Sequence, residues 1–171
     1  MRIFLTGFMG AGKSFLGKLW AEDNNMVFYD LDTLIEEEER TTIDKIFAEK
    51  GEAYFRETEA AVLRNTERFE NAIIACGGGA PCFFDNMLWM NKNGITVFLN
   101  ETIENIFHHL INDKKQRPLL LSRSHEDLEK IIKEKLEERF PFYNQSKIIL
   151  TTENLHRNGF KKVDDFIHSQ K

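Results

Sequence analysis

Arg2-Ile-Phe-Leu-Thr6, followed by Gly7-Phe-Met-Gly-Ala-Gly12-Lys13-Ser14, decides the fold. The first run is short and apolar throughout, as in a strand covered on both faces, and Gly7 ends it. The second fits the pattern G-x-x-x-x-G-K-[ST], whose glycines let successive backbone N–H groups converge on phosphate oxygens. Lys13 to Glu22 reads as a helix whose positive N-terminus meets the same anion. Strand, glycine loop and helix in that order are the context the pattern requires. The competing reading is a glycine-rich turn without a ligand. In this geometry Lys13 reaches the β- and γ-phosphates and the Ser14 hydroxyl ligates Mg²⁺.

Working outward, four more short apolar runs read as strands: Met26 to Tyr29, Ala72 to Cys76, Ile95 to Leu99, and Lys147 to Leu150. Helical stretches separate them, which implies crossover connections and a parallel sheet with helices on both faces. Thr41-Thr-Ile-Asp44 and Ser124-His-Glu-Asp127 carry helix-start signals, a hydroxyl followed three residues later by an acid. Asn158 to Gln170 reads as a closing helix. In open parallel sheets, ligands sit beyond the carboxyl ends of the strands, so the residues that follow each run are the candidates for chemistry.

The 171 residues suit one domain. With 23 Lys+Arg against 28 Asp+Glu the net charge is −5, which argues against a general nucleic-acid binder. Hydrophobic residues make up 42% of the chain, an ordinary globular share. No apolar run approaches the roughly 20 residues of a membrane helix. The N-terminal apolar stretch runs into Gly-Ala-Gly-Lys without a cleavage site, so it is not read as a signal peptide. Cys76 and Cys82 are too few for a disulfide framework, so the expectation is inert thiols in a reducing cytoplasm.

Asp30-Leu-Asp32 sets two carboxylates after the second strand. They are either helix caps, or one holds Mg²⁺ while the other meets an acceptor hydroxyl. On the helix that opens near Gly51, Glu59 lies about 40° from Phe55 and inside the apolar stripe, with Arg56 at its edge. The pair is either a structural ion pair or an arginine held to grip an anionic substrate. On the helix from about His125, the stripe is Leu128, Ile131, Ile132, Leu136 and Phe140. Arg139 falls about 20° from Leu128, on the core-facing side, and must meet a carboxylate or a phosphate there, either a protein partner such as Glu59 or a ligand. Gly77-Gly-Gly79 is either a flexible turn or a floor allowing close backbone approach to a small ligand. Asn112 to Ser124 is cationic and contains Pro118. Beside a phosphate loop it reads as a lid rather than a solvated loop.

These motifs, in this order, resemble the shikimate kinase family, phosphate-loop kinases of the nucleoside-monophosphate-kinase type. The resemblance runs through Gly7 to Ser14, Asp30-Leu-Asp-x-x-Ile-Glu, Ile46-Phe-x-Glu-x-Gly-Glu-x-x-Phe-Arg56-x-x-Glu59, Gly77-Gly-Gly79, Arg117-Pro-Leu-Leu and Glu138-Arg-x-Pro-x-Tyr143. It implies a single kinase domain over residues 1–171 of the phosphate-loop NTPase type. The expected architecture is a three-layer α/β fold with a five-stranded parallel sheet in the order 2-3-1-4-5, an acceptor-binding region at about 32–60 and a mobile lid at about 112–124. The implied reaction is ATP-dependent phosphorylation of the 3-hydroxyl of shikimate, a step toward chorismate and the aromatic amino acids, in a monomeric cytoplasmic enzyme with no nucleic-acid or membrane partner.

By position, the resemblance puts Lys13, Asp32 and Arg117 at the transfer chemistry. Gly10, Ala11, Gly12, Lys13, Ser14, Phe15 and Arg117 hold ATP. Asp32, Arg56, Gly78, Gly79 and Arg139 hold shikimate, and Ser14 and Asp30 serve Mg²⁺. His109 stands where the family commonly has an arginine along the adenine, and Thr151 where an Asp is common. Both departures concern the adenine end. Two other readings are a kinase for another small acid, such as gluconate, and a nucleotide-binding module without acceptor chemistry.

Overall fold

The computed structural model describes residues 1–112 and 125–170. Five parallel strands lie in the order β2-β3-β1-β4-β5. They are β1 (Arg2–Thr6), β2 (Val27–Asp30), β3 (Ala72–Ala75), β4 (Ile95–Asn100) and β5 (Ile148–Thr151). The helices between them are α1 (Lys13–Asp23), α2 (Leu31–Glu39), α3 (Ile43–Asn65), α4 (Asn86–Asn93), α5 (Ile103–Asn112), α6 (His125–Tyr143) and α7 (Phe160–Ser169). The expected sheet order is the observed one, and each expected strand is present within a residue or two at its ends. The expected lid, apart from Asn112, lies outside the described residues, and Arg117 and Ser124 with it.

Side chains alternate across the central strand and divide the core in two. Ile3 and Leu5 of β1 pack with Leu16 and Trp20 of α1 and Phe160 and Val163 of α7. Phe4 points the other way, into a cluster with Phe55 and Leu63 of α3 and Met87 and Met90 of α4. A third cluster joins Phe8 to Ile106 and Leu110 of α5 and Leu128 and Ile132 of α6, and so packs the phosphate loop against two helices. The double cover does not extend to the sheet edges: Val27 on β2 and Ile149 on β5 are 50% and 41% exposed, because an edge strand has fewer neighbours to pack on. No helix among the described residues is long and apolar enough to cross a membrane.

Three local expectations shift. The cap of α3 is Thr42, whose hydroxyl accepts from Lys45 N, rather than Thr41. The helix reaches back from Gly51 to Ile43, and at Gly51 (φ 81°) it breaks, so the expected start there is a kink. Phe140, placed in the apolar stripe of α6, is 45% exposed and meets Phe98 only edge-on.

Candidate active site

The carboxyl ends of β1, β2 and β3 open on a cleft of about 480 Å³ lined by Gly10, Lys13, Ser14, Asp30, Asp32 and Gly78, among others. The phosphate loop is built as its sequence requires. Gly10 and Gly12 hold φ of 81° and 84°, a region that strains residues with a side chain. Ala11 N donates to Phe8 O across the turn at 3.1 Å. Lys13 Nζ donates to the carbonyls of Gly7 and Phe8, both at 2.8 Å, which holds the cation against the loop. Ala11 is buried and Phe15 stands 68% exposed at the rim of the cleft.

Asp30 makes two contacts. Its Oδ1 accepts from Asp32 N and caps α2, while its Oδ2 accepts from Ser14 Oγ at 2.6 Å. A hydroxyl and a carboxylate oxygen side by side at a phosphate loop form a hard oxygen donor set that fits Mg²⁺. No cluster of three or more His, Cys, Asp or Glu side chains suited to a metal exists among the described residues. A magnesium ion that shares phosphate oxygens and waters needs only one or two carboxylates.

Opposite the loop, Gly77–Gly79 form a floor on which charged groups rest. A Cβ on Gly77 would lie 2.9 Å from Glu59 Oε1 and 3.0 Å from Asp32 Oδ1. On Gly78 it would lie 3.3 Å from Arg139 Nη1, and on Gly79 only 2.7 Å from Arg56 Nη1. A side chain at Gly79 would displace the Arg56 guanidinium and one at Gly78 would crowd that of Arg139. The structure thus brings Asp32, Arg56, Gly78, Gly79 and Arg139 to one place, beside the phosphate loop.

The two arginines differ in how they are held. Arg56 Nη1 donates to Glu59 Oε2 at 2.8 Å and its Nη2 to Glu52 Oε1 at 3.2 Å. Its guanidinium also lies 4.2 Å from the ring centroid of Phe83, a contact that adds attraction to the π face. Glu59 is 1% exposed, and burial pushes its carboxyl up to about 7 against the pull of Arg56. Arg139 makes no ion pair among the described residues. Its guanidinium lies 5.4 Å from the Phe8 ring, and its Nη1 is buried without a hydrogen-bond partner. Glu59 Oε1 is likewise buried and without a partner, so Glu59 serves Arg56 and does not hydrogen-bond Arg139. A buried guanidinium N–H left open costs free energy that an incoming anion recovers.

Phe83, which carried no signal in the sequence, and Tyr143, which stood there only as the last position of a motif, complete this half of the site. Cys82, next to Phe83, is a neutral thiol pushed up to about 11 by burial. Cys76 lies just past the end of β3, buried and shifted up further. At the other end of the cleft His109 Nδ1 lies 2.7 Å from Gly10 O, and since a carbonyl only accepts, Nδ1 carries the proton. His109 joins His108 and Asn112 in lining the cleft, while Thr151 ends β5 and donates to Glu153.

The family described as shikimate kinase matches residues 9–168. A shikimate kinase of Bacteroides thetaiotaomicron is 48% identical over 155 residues, 91% of this chain and 89% of that protein. The crystal structure of shikimate kinase from the same organism superposes with a TM-score of 0.92 at 43% identity, covering 98% of each chain. Shikimate kinase from Acinetobacter baumannii, solved in complex with shikimate, superposes with a TM-score of 0.87 at 32% identity, over 99% of this chain and 94% of that one.

Proposed function

The chain belongs to the shikimate kinase family, and we infer from this that it is an ATP-dependent kinase that phosphorylates the 3-hydroxyl of shikimate. One observation of geometry supports the reading above others on the same scaffold. Two arginines rest on a glycine floor next to a phosphate loop, and one of them has a buried nitrogen without a protein partner.

The transfer is carried by positioning and charge. Arg56, held by Glu59 and Glu52, and Arg139, through its open Nη1, take the shikimate carboxylate, each as a planar fork. With the ring so anchored, the 3-hydroxyl faces Asp32. Asp32 takes the hydroxyl proton as the oxygen attacks the γ-phosphorus, the bond to the β–γ bridging oxygen breaks, and ADP departs. Backbone N–H groups of Gly10 to Ser14 cradle the β-phosphate, and Lys13 draws off charge from the transferring group. Ser14 and Asp30 would hold Mg²⁺, which would supply neutralisation of phosphate charge. Arg117, from the proposed lid, adds a further cation on family resemblance. We assign the protein to a reducing cytoplasm as a monomer; two unpaired cysteines are consistent with the compartment.

An ADP-release assay over shikimate, quinate, gluconate and nucleoside monophosphates tests the reading. Turnover should be confined to shikimate. Comparable turnover with gluconate or a nucleoside monophosphate, or none with shikimate, would refute it.

A further inference from the structure

The motif Glu138-Arg-x-Pro-x-Tyr143 contributes Arg139 to the mechanism and leaves its tyrosine without a role. Tyr143 is fully buried at the last position of α6. Its hydroxyl donates to the carbonyl oxygen of Gly78 at 2.5 Å, across 65 residues of sequence. The ring lies 5.0 Å from that of Phe98 on β4, so the sheet sets the position of the phenol. One turn earlier on the same helix, Arg139 leans on the same glycine, its Nη1 3.3 Å from where a Cβ on Gly78 would stand. Its Nη1 remains open and faces Gly78.

The hydroxyl therefore holds the peptide of Gly78, the glycine against which the Arg139 guanidinium rests. Both need restraint. A peptide between glycines has the fewest steric limits on its rotation, and a long guanidinium side chain has many rotamers to lose. Burial moves the phenol well above the ordinary tyrosine range, so it stays a neutral O–H donor at physiological pH.

We propose that Tyr143 is a positioning residue of the acceptor subsite, its hydroxyl locking the Gly78 peptide and, through that peptide, the seat of the Arg139 guanidinium, so that the carboxylate socket stands preformed. This rests on the reading that Arg139 grips the substrate carboxylate. The competing view is a buried tyrosine that simply satisfies its hydroxyl, as buried tyrosines usually do. The two part over what the hydroxyl does to each substrate.

Tyr143→Phe removes the oxygen and keeps the ring. The lock predicts a KM for shikimate raised about tenfold, the scale of one hydrogen bond, with KM for ATP and kcat unchanged. A lower melting temperature with unchanged KM for shikimate would overturn the proposal, as would equal rises in both KM values. A double-mutant cycle with Arg139→Lys, read as shikimate affinity, gives the second test. Acting through Arg139, the two losses fall short of additive. Additive losses would mean that Tyr143 does not work through Arg139, and would overturn the proposal too. Wild-type turnover of shikimate in the same assay separates the failures: without it the underlying reading falls and this proposal with it, while wild-type turnover beside an unchanged KM in Tyr143→Phe removes this proposal alone.

Discussion

Replacing Glu59 by Gln tests the electrostatics of the site in a way that activity does not. The carboxyl is 1% exposed, has one oxygen on Arg56 and the other without a partner, and titrates at about 7 against an ordinary value of 4.5. A carboxyl with a raised folded-state value binds its proton more tightly folded than unfolded. Between pH 4.5 and about 7 the native state therefore holds more protons than the unfolded state, and this group's contribution to stability falls as pH rises. The full displacement is worth about 3 kcal/mol. Glutamine has the shape of the neutral acid, and its amide oxygen can still accept from Arg56. Glu59→Gln should thus match wild type near pH 4.5 and exceed it in stability by up to about 3 kcal/mol above pH 7. Urea unfolding of both proteins without ligand, at matched pH values across this window, measures the difference. Asp23, Glu39 and Glu101, all shifted downward, titrate alike in both proteins and cancel. A difference that stays flat with pH, or that favours wild type above pH 7, would refute the claim that Glu59 is a desolvated charge only partly offset by Arg56.

Three further outcomes follow from the geometry. Lys13→Ala should lower kcat by at least about a hundredfold, the scale of losing one preorganised donor to the transition state; near-normal turnover would remove the phosphate-loop mechanism. Asp32→Asn should lower kcat by about a hundredfold or more while ATP binding, measured by calorimetry, persists; loss of ATP affinity with high residual turnover would assign Asp32 to the metal instead. Gly79→Ala puts a methyl 2.7 Å from Arg56 Nη1, so KM for shikimate should rise about tenfold or more with KM for ATP unchanged, as read from steady-state kinetics.

What the sequence could disclose was set by range. The loop from Gly7 to Ser14 is legible because its backbone geometry depends on its own glycines. Glu59 and Arg56 are legible because helical spacing alone puts a carboxylate on a buried face with an arginine three residues before it. Arg139 shows as a charge in an apolar stripe, but the choice between Glu59 and a ligand as its counter-anion depends on distances between α3 and α6. Phe83 carries no signal and Tyr143 shows only as a motif position without a role, for the same reason: one is known by a guanidinium from α3, the other by a carbonyl 65 residues away. The exposure of Val27 and Ile149 was hidden because an apolar run looks the same at the edge of a sheet as at its centre. Thr41 and Thr42 offer the same hydroxyl at adjacent positions, and only the bond to Lys45 N tells them apart.

The central claim is that the arginine pair and Asp32 present one particular hydroxyl of shikimate to the γ-phosphoryl group of ATP. Phosphorus–proton correlation NMR of the product formed from ATP, Mg²⁺ and shikimate tests this most directly. The product should be a single phosphoester coupled to the proton on C3, with one ADP released for each. A phosphoester on the 4- or 5-hydroxyl, a mixture of positions, or ADP without a phosphoester would contradict it.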